Sequence, residues 1–183
     1  FNEPPGKLDD YAIASRLSYF LWNTMPDDAL MADARKGNLS DPTVLKTQLN
    51  RMLADSRLDE FVKSFVWAWL RLESTVEMAP DPMKFYEYHR NRISDAMFTE
   101  TRAFFRQLMM ENLPISNFID SDFTIINADL GRHYGMPGKV KTTAKFKRVD
   151  LKGTSHRGGL LGQASVLTAS ANGVDTSPVV RGI

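Results

Sequence analysis

Apolar positions recur through the first two thirds of the chain at the three-to-four-residue spacing of amphipathic helices. Ile13, Leu17, Phe20 and Leu21 share one stripe, which predicts a helix capped by Asp9 or Asp10 and running to about Trp22. Arg16, inside this stretch, reads as an arginine snorkelling from the core's rim. Met25-Pro26-Asp27-Asp28 opens a second, short helix that Gly37 closes, and Ser40-Asp41-Pro42 opens a third with the stripe Leu45, Leu49, Met52 and Leu53. Ser56-Arg57-Leu58-Asp59 resembles a capping box with Asp in place of the longer acid or amide. It predicts a fourth helix that buries Leu58, Phe61, Val62, Phe65, Trp69 and Leu70. Short loops between these helices imply neighbours packed antiparallel or at steep angles. Trp67 and Trp69, two residues apart, belong on different helix faces; both read as core aromatics rather than as an electron relay.

After the break at Ala79-Pro80-Asp81-Pro82, an aromatic approach from Phe85 to His89 leads into the longest predicted helix, from about Arg90 to Asn112. Its inner side carries Ile93, Met97, Phe104, Phe105 and Leu108. Glu100 and Thr101 interrupt that stripe, and Glu100 reads as a helix-surface charge near Arg102 or Arg106 in preference to a buried acid. His89 reads as a boundary residue. Residues 115–126 form a looser stretch in which Ser116, Asp120 and Asp122 serve turns or caps; Asp120-x-Asp122 lacks the further oxygens and glycine of a calcium loop. Asn127 caps a short helix through Leu130 and Tyr134, ended by Gly135 and Pro137. His133 lies in it with no second histidine four residues away, so zincin spacing is missing. After a basic loop over 138–143, residues 146–151 are the one good strand candidate. The expected fold is mostly α: an irregular multi-helix bundle with at most one short strand or hairpin near the C-terminal third. Residues 1–7 read as a linker, 8–137 as the helical domain, and 138–183 as a loop, a short extended segment and the start of a second, truncated motif.

Composition sharpens the functional side. The 23 basic and 22 acidic residues leave a net charge of +1, which provides no one-signed field for nucleic acid or an anionic membrane. No run of about 18 apolar residues is present to form a membrane span. Cysteine is absent, which excludes disulfides, thiolate metal sites, a cysteine nucleophile and a Cys-x-x-Cys-His haem attachment within these residues. A start at Phe1 and a stop just after a helix-start signal suggest a piece of a longer protein.

The last thirty residues depart from the helical pattern. Glycines, hydroxyls and two arginines replace large apolar groups in His156-Arg157-Gly158-Gly159-Leu160-Leu161-Gly162-Gln163-Ala164-Ser165 and in Thr176-Ser177-Pro178-Val179-Val180-Arg181-Gly182. The glycines lack dinucleotide-fingerprint spacing, no phosphate-loop lysine follows them, and Ser165 lacks the flanks of a nucleophile elbow. A triad of Ser165, His156 and Asp175 can be drawn, but no spacing favours it. A small-residue helix from about Gly159 to Ala169, able to approach a neighbour closely, accounts for the composition. Thr176-Ser177-Pro178 then caps a following helix. Arg157 and Arg181 suit a carboxylate, a phosphate or a haem propionate, or pairing with acids of the helical domain. The candidate anion or domain-junction contacts are therefore His156, Arg157, Ser165, Thr176 and Arg181. No metal site and no catalytic set stands out.

Three groups of residues resemble a helical domain of unknown function found in planctomycete proteins: Ala14 to Trp22, Pro26-Asp27-Asp28-x-Leu30 and Arg51-Met52-Leu53-Ala54-Asp55. Phe65 to Leu70, the Glu100 region and Asn127-Ala128-x-Leu130-x-x-His133-Tyr134-Gly135 continue the likeness. Arg157-Gly158-Gly159-Leu160-Leu161, Ser165-Val166-Leu167-Thr168 and Thr176-Ser177-Pro178-Val179-x-Arg181-Gly182 resemble the start of the adjoining planctomycete cytochrome c family. The resemblance implies a large, modular, extracytoplasmic protein, with haem c elsewhere in the full protein or on a partner and no cofactor in this piece. Its expected partners are other domains of the same polypeptide or subunits of an assembly. Two functions follow: a non-catalytic structural or interaction module of a cytochrome-associated electron-transfer protein, or an enzyme fragment whose pocket the 156–181 segment lines.

Overall fold

A computed structural model describes residues 6–77, 80–153, 157–175 and 177–182, without the side chains of 76, 77, 181 and 182. The chain divides into two compact units, Phe1–Ser64 and Phe65–Ile183.

In the first unit, α1 (Asp10–Trp22), α2 (Asp28–Lys36) and α3 (Pro42–Ala54) each start where an aspartate caps free backbone amides. Asp9 accepts from the Ala12 N–H, Asp27 from that of Leu30, and Asp41 from those of Thr43 and Val44. Gly37 ends α2 at φ +68°, a left-handed position. The buried face of α1 is Ala14, Ser18, Leu21 and Trp22, whereas Phe20 is 63% exposed. This corrects the stripe drawn through Ile13, Leu17 and Phe20. Trp22 sets the helix rotation: its indole N–H donates to the Met52 carbonyl at 3.1 Å. A residue two positions away points about 200° around the helix, so Phe20 turns outward, where its ring packs on Phe61. On α3, Met52 is buried beside Gln48, whose amide bonds Asp33 at 2.7 Å and accepts from Arg51 at 2.8 Å. Leu45, Leu49 and Leu53 are only half-buried.

The helix α4 (Leu58–Trp69) runs across the division in the chain. Leu58, Val62 and Val66 are its buried positions. Phe65 and Trp69, expected in the core, keep 39% and 47% exposure and join Phe105 and Phe118 in an aromatic group of the second unit. Trp67 meets Phe98 instead, on a different face from Trp69.

The second unit contains α5 (Ser74–Glu77), α6 (Tyr86–Arg90), α7 (Ile93–Met110), β1 (Phe123–Ile126), α8 (Ala128–His133), β2 (Lys147–Asp150), α9 (Ala164–Ala169) and α10 (Pro178–Gly182). The predicted Arg90–Asn112 helix begins later, at Ile93, because Arg92 takes a left-handed φ of +48° and separates α6 from α7. Ile93, Met97, Phe104, Phe105 and Leu108 are buried along α7, as the stripe requires. Met97 and Ile93 share a core with Ile126, Leu130, Val149 and Ala164, while Phe104 and Leu108 pack with Phe123 and Leu160. Asn127 caps α8 by accepting from the Leu130 N–H at 2.9 Å. The expected strand over 146–151 is β2, and it pairs antiparallel with β1 from Phe123↔Asp150 to Ile126↔Lys147. Sequence pattern did not single out β1: all four of its residues are buried, so no period-two alternation marks it.

The small-residue segment is not one helix from 159 to 169. A 3-10 turn over Leu160–Gly162 is followed by Gln163 in an extended conformation, and α9 begins only at Ala164. Gly159 imposes the break. Its φ is +57°, and a β-carbon there would lie 2.4 Å from the Phe118 carbonyl oxygen and 2.6 Å from the Ile119 carbonyl. The Ser177 hydroxyl accepts from the Val180 N–H, with Pro178 as the first residue of α10. The protein is mostly helical with one two-stranded antiparallel ribbon, and no described helix is long and apolar enough to cross a membrane.

Candidate functional site

Two residues that break the apolar stripe of α7 form the centre of the site. Glu100 is 1% exposed and Thr101 fully buried, so Glu100 is not the helix-surface charge that the pattern favoured. A carboxyl group taken from water must find partners or stay neutral. Glu100 finds two hydroxyls: Thr124 of β1 donates to one oxygen at 2.5 Å, and Tyr134, just after α8, donates to the other in a short hydrogen bond. The Tyr134 oxygen also accepts the Ala164 N–H at 2.9 Å, which ties the first residue of α9 to the same acid.

Thr101, one position along, makes the parallel connection. Its hydroxyl meets the Gln163 side-chain oxygen at 2.7 Å and the Ser165 hydroxyl at 2.6 Å. Arg157 covers the group from the side, its guanidinium 4.1 Å from the Tyr134 ring centre and donating to the Gly162 carbonyl at 2.6 Å. Gly158 lies so close to the 120–121 backbone that a β-carbon would come within 3.0 Å of an Asp120 carboxylate oxygen. Residues 157–165 are thus held by α7, by Tyr134 and by the 118–121 segment.

Electrostatics follow from burial. Loss of water pushes the Glu100 carboxyl up to about 7; the Thr124 and Tyr134 hydrogen bonds and the Arg157 charge pull the other way and limit the rise. Burial, with the adjacent carboxyl, also raises the Tyr134 hydroxyl well above its ordinary range. The group can hold or release one proton near neutrality. The cleft beside it, about 10 Å³ in volume, has room for about one water and none for a substrate.

A larger hollow of about 190 Å³ opens on the other side of Arg157, with Phe85, Tyr88, Leu167 and Val174 in its apolar walls and His133 and Asp175 among its polar ones. Arg157 and Ser165 are therefore brought to one cluster, although Ser165 is fully buried and bonded to Thr101. His156 and Thr176 lie outside the described residues, as does the side chain of Arg181, whose backbone belongs to α10. Glu100, Thr124 and Tyr134 were not among the residues that the sequence pointed to. The one signal for them was a polar pair on the inner face of an apolar helix. Among the described residues no group of three or more histidines and acids is placed to hold a metal ion. His89 bonds the Pro80 carbonyl through Nε2 at 2.8 Å.

Compared with known proteins, the chain matches over residues 8–136 a family described as PSD4, a protein of unknown function (DUF1592). No curated protein matches it, and no solved structure does. The matched span takes in the acid, both hydroxyls that bond it and all of α1 to α8 except the first turns' flanks, and ends before Arg157. A match over more than half of the chain, carrying the helical core and the buried carboxyl within it, places this protein in the PSD4 (DUF1592) family.

Proposed function

We propose that this chain is a non-catalytic structural and interaction module of a cytochrome-associated electron-transfer protein, working outside the cytoplasm. In this reading residues 157–182 open an adjoining domain and fasten it to the helical domain. One observation carries the reading: the Arg157–Ser165 segment spends its polar groups on internal contacts. Arg157 donates to Gly162 and stacks on Tyr134, Ser165 and Gln163 bond Thr101, and Gly159 fits against the Phe118–Ile119 backbone. A segment built to seat on its own domain serves as a junction. The donor set does not fit haem c, since covalent attachment needs cysteines and the chain has none. The haem belongs to another domain of the polypeptide or to a partner subunit.

Cross-linking of the native full-length protein, followed by mass spectrometry and a haem assay, tests the proposal. Exposed Lys139, Lys141 and Lys147 should link to a domain or subunit that carries haem c. A native preparation without haem, or one whose links reach no haem-bearing chain, would overturn it.

A further inference from the structure

The hollow beside Arg157 lies wholly within the second unit and is separate from the cleft that encloses Glu100. Its volume of about 190 Å³ exceeds the roughly 150 Å³ of a dry cavity that admits benzene, and falls below the ~300 Å³ at which drug-sized pockets begin. Small residues on its α9 side create the space. Ala164, Thr168 and Ala171 stand where larger side chains would fill it, opposite Phe85 and Tyr88. Aromatic and aliphatic walls with a few polar groups at the edge are the usual make-up of a small-molecule site.

The charges lining it are unequal in depth. Asp175 and His133 are exposed, where water and salt screen them, whereas Arg157 is half-buried against the Tyr134 ring and its charge acts through less solvent. We propose that this hollow binds a small monocarboxylate with a single aromatic ring or a branched aliphatic body, its apolar part between Tyr88 and Leu167 and its carboxylate toward Arg157. The site is independent of the module reading, since a junction domain can also carry a ligand.

Benzoate, benzyl alcohol and benzylamine provide probes of one shape and three charges. Methyl NMR titration of the 183-residue protein should show saturable shifts centred on Leu167, Ala171 and Val174. Benzoate should bind roughly fivefold tighter than the alcohol, and benzylamine weakest. Ala171→Leu should abolish the shifts, with circular dichroism confirming that the variant is folded. If that variant does not fold, the map of shifted methyls in the unsubstituted protein decides alone. Shifts that stay linear to about 10 mM, that centre elsewhere, or that favour benzylamine would overturn the proposal.

Discussion

Each unit contains a cluster of carboxylate, arginine and aromatic ring, and the acids of the two clusters titrate in opposite directions. In the first unit, Asp27 bonds Arg51 at 2.7 and 3.0 Å and meets Arg57 at 3.3 Å, while Arg57 lies 3.4 Å over the Trp22 ring. The Arg51 hydrogen bonds hold Asp27 below the usual carboxylate range, and those from Arg57 hold Asp55 well below it. In the second unit, Arg157 stacks on Tyr134 in the same manner, yet the neighbouring acid is pushed up to about 7. What differs is water. Asp27 keeps a quarter of its side chain exposed and receives two guanidiniums directly, whereas Glu100 is enclosed and receives two neutral hydroxyls. A charge-assisted pair at the surface favours the ion; burial among neutral donors favours the acid form.

The contrast is broken most severely by removing what closes the second cluster. Gly159→Ala places a methyl group on the Phe118 and Ile119 backbone at a left-handed φ, and should destabilise the second unit by about 3 kcal/mol or more in urea denaturation. An effect below about 1 kcal/mol would mean that residues 157–165 are not seated there.

The pH dependence has a definite sign. An acid with a raised folded pKa holds its proton in the folded state while the unfolded chain has already released it. Stability therefore falls as pH rises from 4.5 toward about 7, and levels above that. The whole window is worth roughly 3 kcal/mol. Glu100→Gln, neutral at every pH, should flatten this slope, and a slope that survives the substitution would assign it to other groups.

Tyr134→Phe should act more gently. It removes the hydroxyl shared by Glu100 and the Ala164 N–H, at about 1–3 kcal/mol, and should raise the Glu100 midpoint further, because the lost hydrogen bond had favoured the ion. The smallest effect is expected at the surface. Asp27→Asn should lower stability by about 1 kcal/mol or less, and by less again in high salt. Its linkage runs the other way: the contribution of Asp27 is present above the ordinary value of 3.8 and fades as pH falls through its lowered folded value.

The helix starts were legible because they depend on neighbours in sequence. Asp9, Asp27, Asp41 and Asn127 cap the helices they precede, and Gly37 closes α2. What was illegible depends on distant contacts. No proline or glycine marks the break at Arg92, and four buried residues conceal β1. Trp22, anchored on Met52, turns Phe20 to the surface although both lie in one apolar helix. The buried acid was hidden for the same reason. A glutamate between Met97 and Phe104 has one local context whether it faces water or a cluster, and its partners Thr124 and Tyr134 lie 24 and 34 residues away. Arg157 and Ser165 were legible as unusual, but that they meet at α7 was not.

The Glu100 carboxyl itself offers the most direct test. Its side-chain carbon can be followed by carbon-13 NMR from pH 4 to 9 in the native protein and in Tyr134→Phe. A midpoint near 7, moving upward in the variant, is the result that an enclosed acid bonded by Thr124 and Tyr134 requires. A midpoint near the ordinary 4.5, unchanged by the substitution, would place Glu100 in water and remove the cluster on which residues 157–165 are seated.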